Sequence, residues 1–179
     1  MRQRVMPGVV EESRAIAMVR AASQSPTRIT PMTAEKGDLL FVYGTLQTVA
    51  EHPMGDLLRQ HAKLVGTGSI CARLYIIDDP DDPGENHFPG ALPSPDPADR
   101  VYGEIYKLID PAPLMPQLDR LEACSPDWPE PHEFLLRSVE VSRDDGQTTR
   151  AWSYLYTWDV TGAERVMSGR FTEVAPNVR

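Results

Sequence analysis

Apolar residues along this chain fall into short runs separated by glycine, proline and acidic clusters. Asp38-Leu39-Leu40-Phe41-Val42-Tyr43 is a near-continuous apolar run that stops at Gly44, the profile of a buried strand ending in a turn. Met54, Leu57, Leu58 and His61 then recur at helical spacing behind His52-Pro53, where proline suits the first turn. Residues 64–77 are rich in β-branched and aromatic side chains around Gly66 and Gly68 and predict one or two strands. Residues 101–108 alternate like a strand. Residues 113–122 predict a short helix with Leu114, Met115, Leu118 and Leu121 on one face. Two further strands are predicted at 134–142 and 149–158, joined by a turn at Asp144-Asp145-Gly146. Residues 167–171 read as a short cap over the sheet. Many strands and few helices at this spacing point to an α+β domain built on a strongly curved sheet.

Two stretches fall outside that pattern. Val9, Ile16 and Val19 predict an amphipathic helix over residues 8–23, after which Ser, Thr and Pro crowd residues 23–33 as a linker. The chain therefore divides into an N-terminal extension, residues 1–36, helical or flexible, and a folded domain, residues 37–179. The extension is expected to be dispensable for folding. Residues 78–100 hold six prolines and five acidic residues between Asp78 and Glu85, and read as a long, solvated acidic loop without the spacing of a calcium-binding loop.

Charge narrows the function classes. Net charge is -8, but residues 1–37 carry six Lys/Arg against three Asp/Glu, so all of the acidic excess lies in the body. An acidic body repels a phosphate backbone, which argues against nucleic-acid binding. No charge-free stretch is long enough to span a membrane, and no apolar signal core follows Arg2 and Arg4. Cys71 and Cys124 have no metal-site or disulfide spacing, and a reducing cytoplasm is the expected compartment. His52, His61, His87 and His132 show no ligand spacing, and no phosphate or dinucleotide loop is present, so neither metal nor cofactor is expected.

Two local patterns could carry chemistry. Glu122 lies at the end of the 113–122 helix, where the negative end of the helix dipole disfavours its charge. Asp119, three residues earlier, repels it as well. Both effects push a carboxyl toward the range where it can act as base and then acid. The same pair also fits the solvated side of a surface helix. Tyr43-Gly44-Thr45-Leu46 follows a buried strand, and consecutive N–H groups in such a turn can converge on an anion. It equally fits an ordinary strand-to-loop turn. Cys124 has no histidine placed by sequence to activate it and reads as a small packing residue.

The order of pieces is more specific than any one of them. Tyr43-Gly44-Thr45-Leu46 is followed by Gly66-Thr67-Gly68, Leu74-Tyr75 and Phe88-Pro89-Gly90-Ala91. Then come Val101-Tyr102-Gly103-Glu104-Ile105-Tyr106, Leu118-Asp119-Arg120-Leu121-Glu122 and Ser168-Gly169. Over residues 38–171 this resembles the γ-glutamylcyclotransferase superfamily, in particular the branch of γ-glutamylamine cyclotransferase and the plant avirulence-induced-like proteins. The resemblance implies a small mixed β-barrel with flanking short helices. It also implies a small-molecule γ-glutamyl substrate, Glu122 as general acid/base, and Tyr43, Gly44, Thr45 and Leu46 as the turn that binds the γ-glutamyl group through backbone donors. No cofactor is implied. The chain departs from the family in a Pro-rich insertion over residues 125–131 and in Phe134, which stands where the family commonly has a tyrosine. That departure keeps a non-catalytic member, binding a small metabolite or a protein through the same cavity, as the alternative.

Overall fold

The computed structural model describes residues 38–50, 52–79, 84 and 86–174. The helix and linker predicted before residue 34 lie outside them. In chain order the elements are β1 (Leu39–Val42), a 3-10 turn (Thr48–Ala50), α1 (Pro53–His61), β2 (Ala62–Ile70), β3 (Ala72–Asp78) and β4 (His87–Pro93). They continue with β5 (Val101–Leu108), α2 (Pro111–Leu121), β6 (Phe134–Arg143), β7 (Thr148–Tyr156), β8 (Glu164–Arg165) and α3 (Phe171–Val174).

Five strands close into a barrel in the order β1-β5-β2-β6-β7. β1 pairs antiparallel with β5 and parallel with β7, so the barrel is mixed. The remaining strands form a three-stranded sheet, β4-β3-β8. Period-two alternation sorts β1 onto two cores. Leu40 and Val42 pack with Leu58 of α1 and with Leu114 and Leu118 of α2. Phe41 and Tyr43 pack instead with Leu74, Ala91, Ile105 and Leu155. Burial on both faces explains why β1 reads as an unbroken apolar run.

The local signals place most elements well. His52 caps α1, its Nδ1 accepting from the Met54 N–H at 3.2 Å, with Pro53 in the first turn. Gly146, at φ 82°, makes the β6–β7 hairpin turn. Two differences stand out. First, α2 begins at Pro111, and Glu122 is its C-cap rather than part of its last turn. Second, the predicted loop 78–100 contains β4, with Pro89 and Pro93 inside the strand. β4 is an edge strand, where a residue lacking an N–H need not break a ladder. No helix among the described residues is long and apolar enough to cross a membrane.

Candidate active site

The 43–46 turn is pinned by its two ends. Tyr43 is buried; its hydroxyl donates to the Tyr154 carbonyl at 2.8 Å and accepts from the Ala91 N–H at 3.3 Å. Leu46 is buried in the core facing the helices, together with Leu58. Gly44 and Thr45 bridge these anchors and line a cavity of ≈ 270 Å³. A Cβ on Gly44 would sit 2.2 Å from Cγ of Pro89, so only glycine lets β4 approach the turn this closely. The Gln47 N–H closes the turn onto the Gly44 carbonyl at 3.0 Å. Among the described residues no hydrogen bond is donated by the N–H of Thr45 or Leu46. Such donors are available to an anion.

Glu122 reaches the same cavity from the end of α2. Its N–H still bonds the Leu118 carbonyl at 2.9 Å, and the chain then reverses through Ala123 at φ 48°. A residue with a Cβ adopts that left-handed conformation at a cost of about 1–2 kcal/mol. The Cys124 N–H, bonded to the Asp119 carbonyl at 2.9 Å, closes the reversal. The local strain thus sits beside the carboxyl that the reversal aims inward.

Burial, more than the helix end or Asp119, sets the electrostatics. Glu122 keeps partial exposure through the cavity, yet its carboxyl lies deep in the protein and its pKa is raised from 4.5 to about 8. Desolvation is the leading cause, the charge of Glu133 the second and that of Asp119 the third. Asp119 is engaged elsewhere, accepting from the Tyr154 hydroxyl at 2.6 Å. Burial also pushes the Cys124 thiol up, well away from the thiolate, in keeping with a packing role.

The inserted segment is part of the wall. Trp128 lines the cavity, and β7's continuation anchors the end of the segment, Trp158 Nε1 donating to the Pro131 carbonyl at 3.0 Å and Thr157 Oγ1 to the carbonyl of the adjoining His132 at 2.5 Å. Phe134 is buried against the edge of Tyr156, ring centroids 5.3 Å apart, and presents an apolar surface to the cavity.

All five residues singled out by the sequence therefore meet at one cavity. Trp128, Glu133, Tyr154, His52 and His87 join them there, outside the sequence motifs. The aromatic in the insertion was a usable signal for Trp128; nothing local marks the others, which arrive from separate elements. Among the described residues, no group of three or more His, Cys, Asp or Glu could hold a metal ion.

Comparison with known proteins bears on this arrangement. A family model described as gamma-glutamyl cyclotransferase, AIG2-like, matches residues 40–173. Gamma-glutamylaminecyclotransferase B of Danio rerio is 31% identical over 121 residues, which are 66% of this chain and 58% of that protein. The chain thus spans less than two thirds of that relative's length. Among solved structures, an AIG2-like protein from Mus musculus superposes with a TM-score of 0.50 at 24% identity, over 68% of this chain and 78% of the mouse chain. YkqA from Bacillus subtilis superposes with a TM-score of 0.53 at 21% identity, over 76% of this chain and 40% of the other. These two likenesses are likenesses of fold.

Proposed function

The chain belongs to the gamma-glutamyl cyclotransferase, AIG2-like family, and from that premise we propose that it converts a γ-glutamyl amide into 5-oxoproline and the free amine, with Glu122 as general acid/base. One observation carries this reading: a single small cavity joins the Glu122 carboxyl to the 43–46 turn, two motifs far apart in the chain. A volume of ≈ 270 Å³ suits a small metabolite, at the lower edge of the roughly 300–1,000 Å³ usual for such sites.

The reaction is intramolecular. The α-ammonium of the γ-glutamyl group gives a proton to the Glu122 carboxylate, and the freed amine attacks the γ-carbonyl carbon. A five-membered ring forms, Glu122 returns the proton to the amine nitrogen as its bond to the γ-carbon breaks, and the second proton of the ring nitrogen passes to the released amine, which leaves as an ammonium ion. No water is consumed. Holding nucleophile and electrophile in one bound molecule supplies much of the rate through orientation alone. Backbone donors of the 43–46 turn hold the substrate and are placed to receive negative charge. A Glu122 pKa of about 8 lies close to that of an α-amino group, about 8, so the proton moves between nearly matched partners.

The test is product identity. Incubation with γ-glutamyl amides, from γ-glutamyl amino acids to γ-glutamyl-ε-lysine and glutathione, should release 5-oxoproline and amine in equal amounts. Acetylating the substrate α-amine should abolish the reaction, and Glu122→Gln should lower kcat/KM by at least about a hundredfold. Glutamate as product, with tolerance of the acetyl cap, would indicate an ordinary amidase instead. Phe134 supports a second reading, a non-catalytic member that binds a small metabolite or a protein, because it brings no hydroxyl to the cavity. Binding of a γ-glutamyl ligand without turnover across the panel would select it.

A further inference from the structure

Outside the cavity, one buried carboxylate is tied to the turn that would hold the substrate. Glu104 of β5 is only 9% exposed and is absent from the cavity wall. Its Oε2 accepts three hydrogen bonds: from the Thr48 N–H at 2.9 Å, the Thr48 hydroxyl at 3.0 Å and the Tyr106 hydroxyl at 2.9 Å. Tyr106 is fully buried, so this acceptor is fixed in place by the barrel.

The register gives the contact its meaning. In the β1–β5 ladder Glu104 is the partner of Val42. Its backbone therefore meets the last residue before the turn, while its side chain holds Thr48, just after it. The segment between the two grips is Tyr43 to Gln47, which contains the whole candidate cradle. Thr48 opens a single 3-10 turn, whose first N–H groups have no partner within the turn. A carboxylate on that N–H, also bonded to the hydroxyl of the same residue, fixes both its position and its rotamer.

We propose that Glu104 is a positioning residue: it clasps the 43–47 segment at both ends and so holds the Thr45 and Leu46 N–H groups in their binding geometry. This rests on the reading that the 43–46 turn binds the γ-glutamyl group. Glu104 touches neither substrate nor the transferred proton. Its loss should weaken binding and leave the Glu122 proton chemistry in place.

The test combines binding and kinetics on the full chain. Calorimetry with a γ-glutamyl amide in the Glu122→Gln background measures affinity without turnover. Adding Glu104→Ala should raise Kd at least about tenfold, equivalent to about 1.4 kcal/mol. Glu104→Gln, which keeps the packing and an acceptor oxygen, should fall between, and it carries the test alone if the alanine variant does not fold. With Glu122 intact, Glu104→Gln should raise KM more than it lowers kcat. The pH at which kcat is half-maximal should not move, whereas a general loosening of the barrel would move it. Hydrogen exchange at Thr48 and at residues 44–46 should accelerate in the variants. An unchanged Kd with unchanged exchange overturns the clasp and leaves the cyclotransferase reading standing. Absence of γ-glutamyl binding and turnover in the parent protein overturns both.

Discussion

Burial lifts the Glu122 pKa from 4.5 to about 8, so between those values the folded protein keeps a proton that the unfolded chain releases. The stability linked to this group is complete below about pH 4.5 and is lost as pH rises through about 8. Glu122→Gln, which has no charge to bury, should therefore melt at nearly the parent temperature in acid. It should melt higher at pH 9, by at least about 3 °C, the shift of about 1 kcal/mol for a chain of this size. The proposed catalysis runs the opposite way, since a base must be unprotonated to act, and kcat/KM should climb with pH toward about 8. Glu133→Gln should move that midpoint down more than Asp119→Asn does, because Glu133 is the stronger of the two like charges. Equal melting curves at pH 9 together with a flat pH profile would remove Glu122 from its assigned role. The residue type and its place at a helix end were legible in the sequence. The dominant cause of its pKa was not, because desolvation depends on which elements close over the carboxyl.

Elements are locked together by a second carboxylate, remote from the candidate site. Asp99 accepts from Ser94 Oγ and from Arg73 Nε, at 2.5 and 2.6 Å, and pairs with Arg165. One side chain thus joins the β4–β5 loop to β3 and β8. The Ser94 and Arg73 hydrogen bonds lead in holding its pKa down from 3.8 to about 2. A depressed carboxyl stabilises fully above the unfolded value and loses that contribution as pH falls through the folded one. Asp99→Asn should accordingly lower the melting temperature at pH 7. The gap between variant and parent should close between about pH 4 and pH 2. A gap that persists unchanged at pH 2 would show that the charge is not what holds these elements. The sequence carries no local signal of this clasp: Ser94 and Asp99 lie in a proline-rich stretch that reads as a solvated acidic loop. The same reading hid β4, since proline content reports a missing donor and not whether a strand is central or at an edge.

At the scale of the molecule, the cavity is walled by β1 and its turn, by β4, by the end of α2, by the inserted segment and by β7. A ligand held there binds only the assembled fold. A γ-glutamyl compound that is not turned over, present at about a hundred times its Kd, should stabilise Glu122→Gln protein by about 2.7 kcal/mol. The melting temperature should then rise by roughly 5–10 °C. A ligand shown to bind but leaving that temperature unchanged would place its site on a surface that survives unfolding, not in this cavity.

By itself the sequence determined the elements whose signals are local. The unbroken apolar run of β1 marks burial on two faces, helical spacing marks α1 and α2, and Asp-Asp-Gly marks the β6–β7 turn. It also supplied the ordered motifs that place the chain in its family. The tertiary structure alone decided what depends on encounters between distant residues. Those are the parallel closure of β1 on β7, the approach of Pro89 to Gly44, the burial that raises the Glu122 pKa, and the grip of Glu104 on Thr48. The physical reason is range. Backbone propensity and side-chain periodicity act over a few residues, whereas desolvation, register and close packing are properties of neighbours that only the closed barrel brings together.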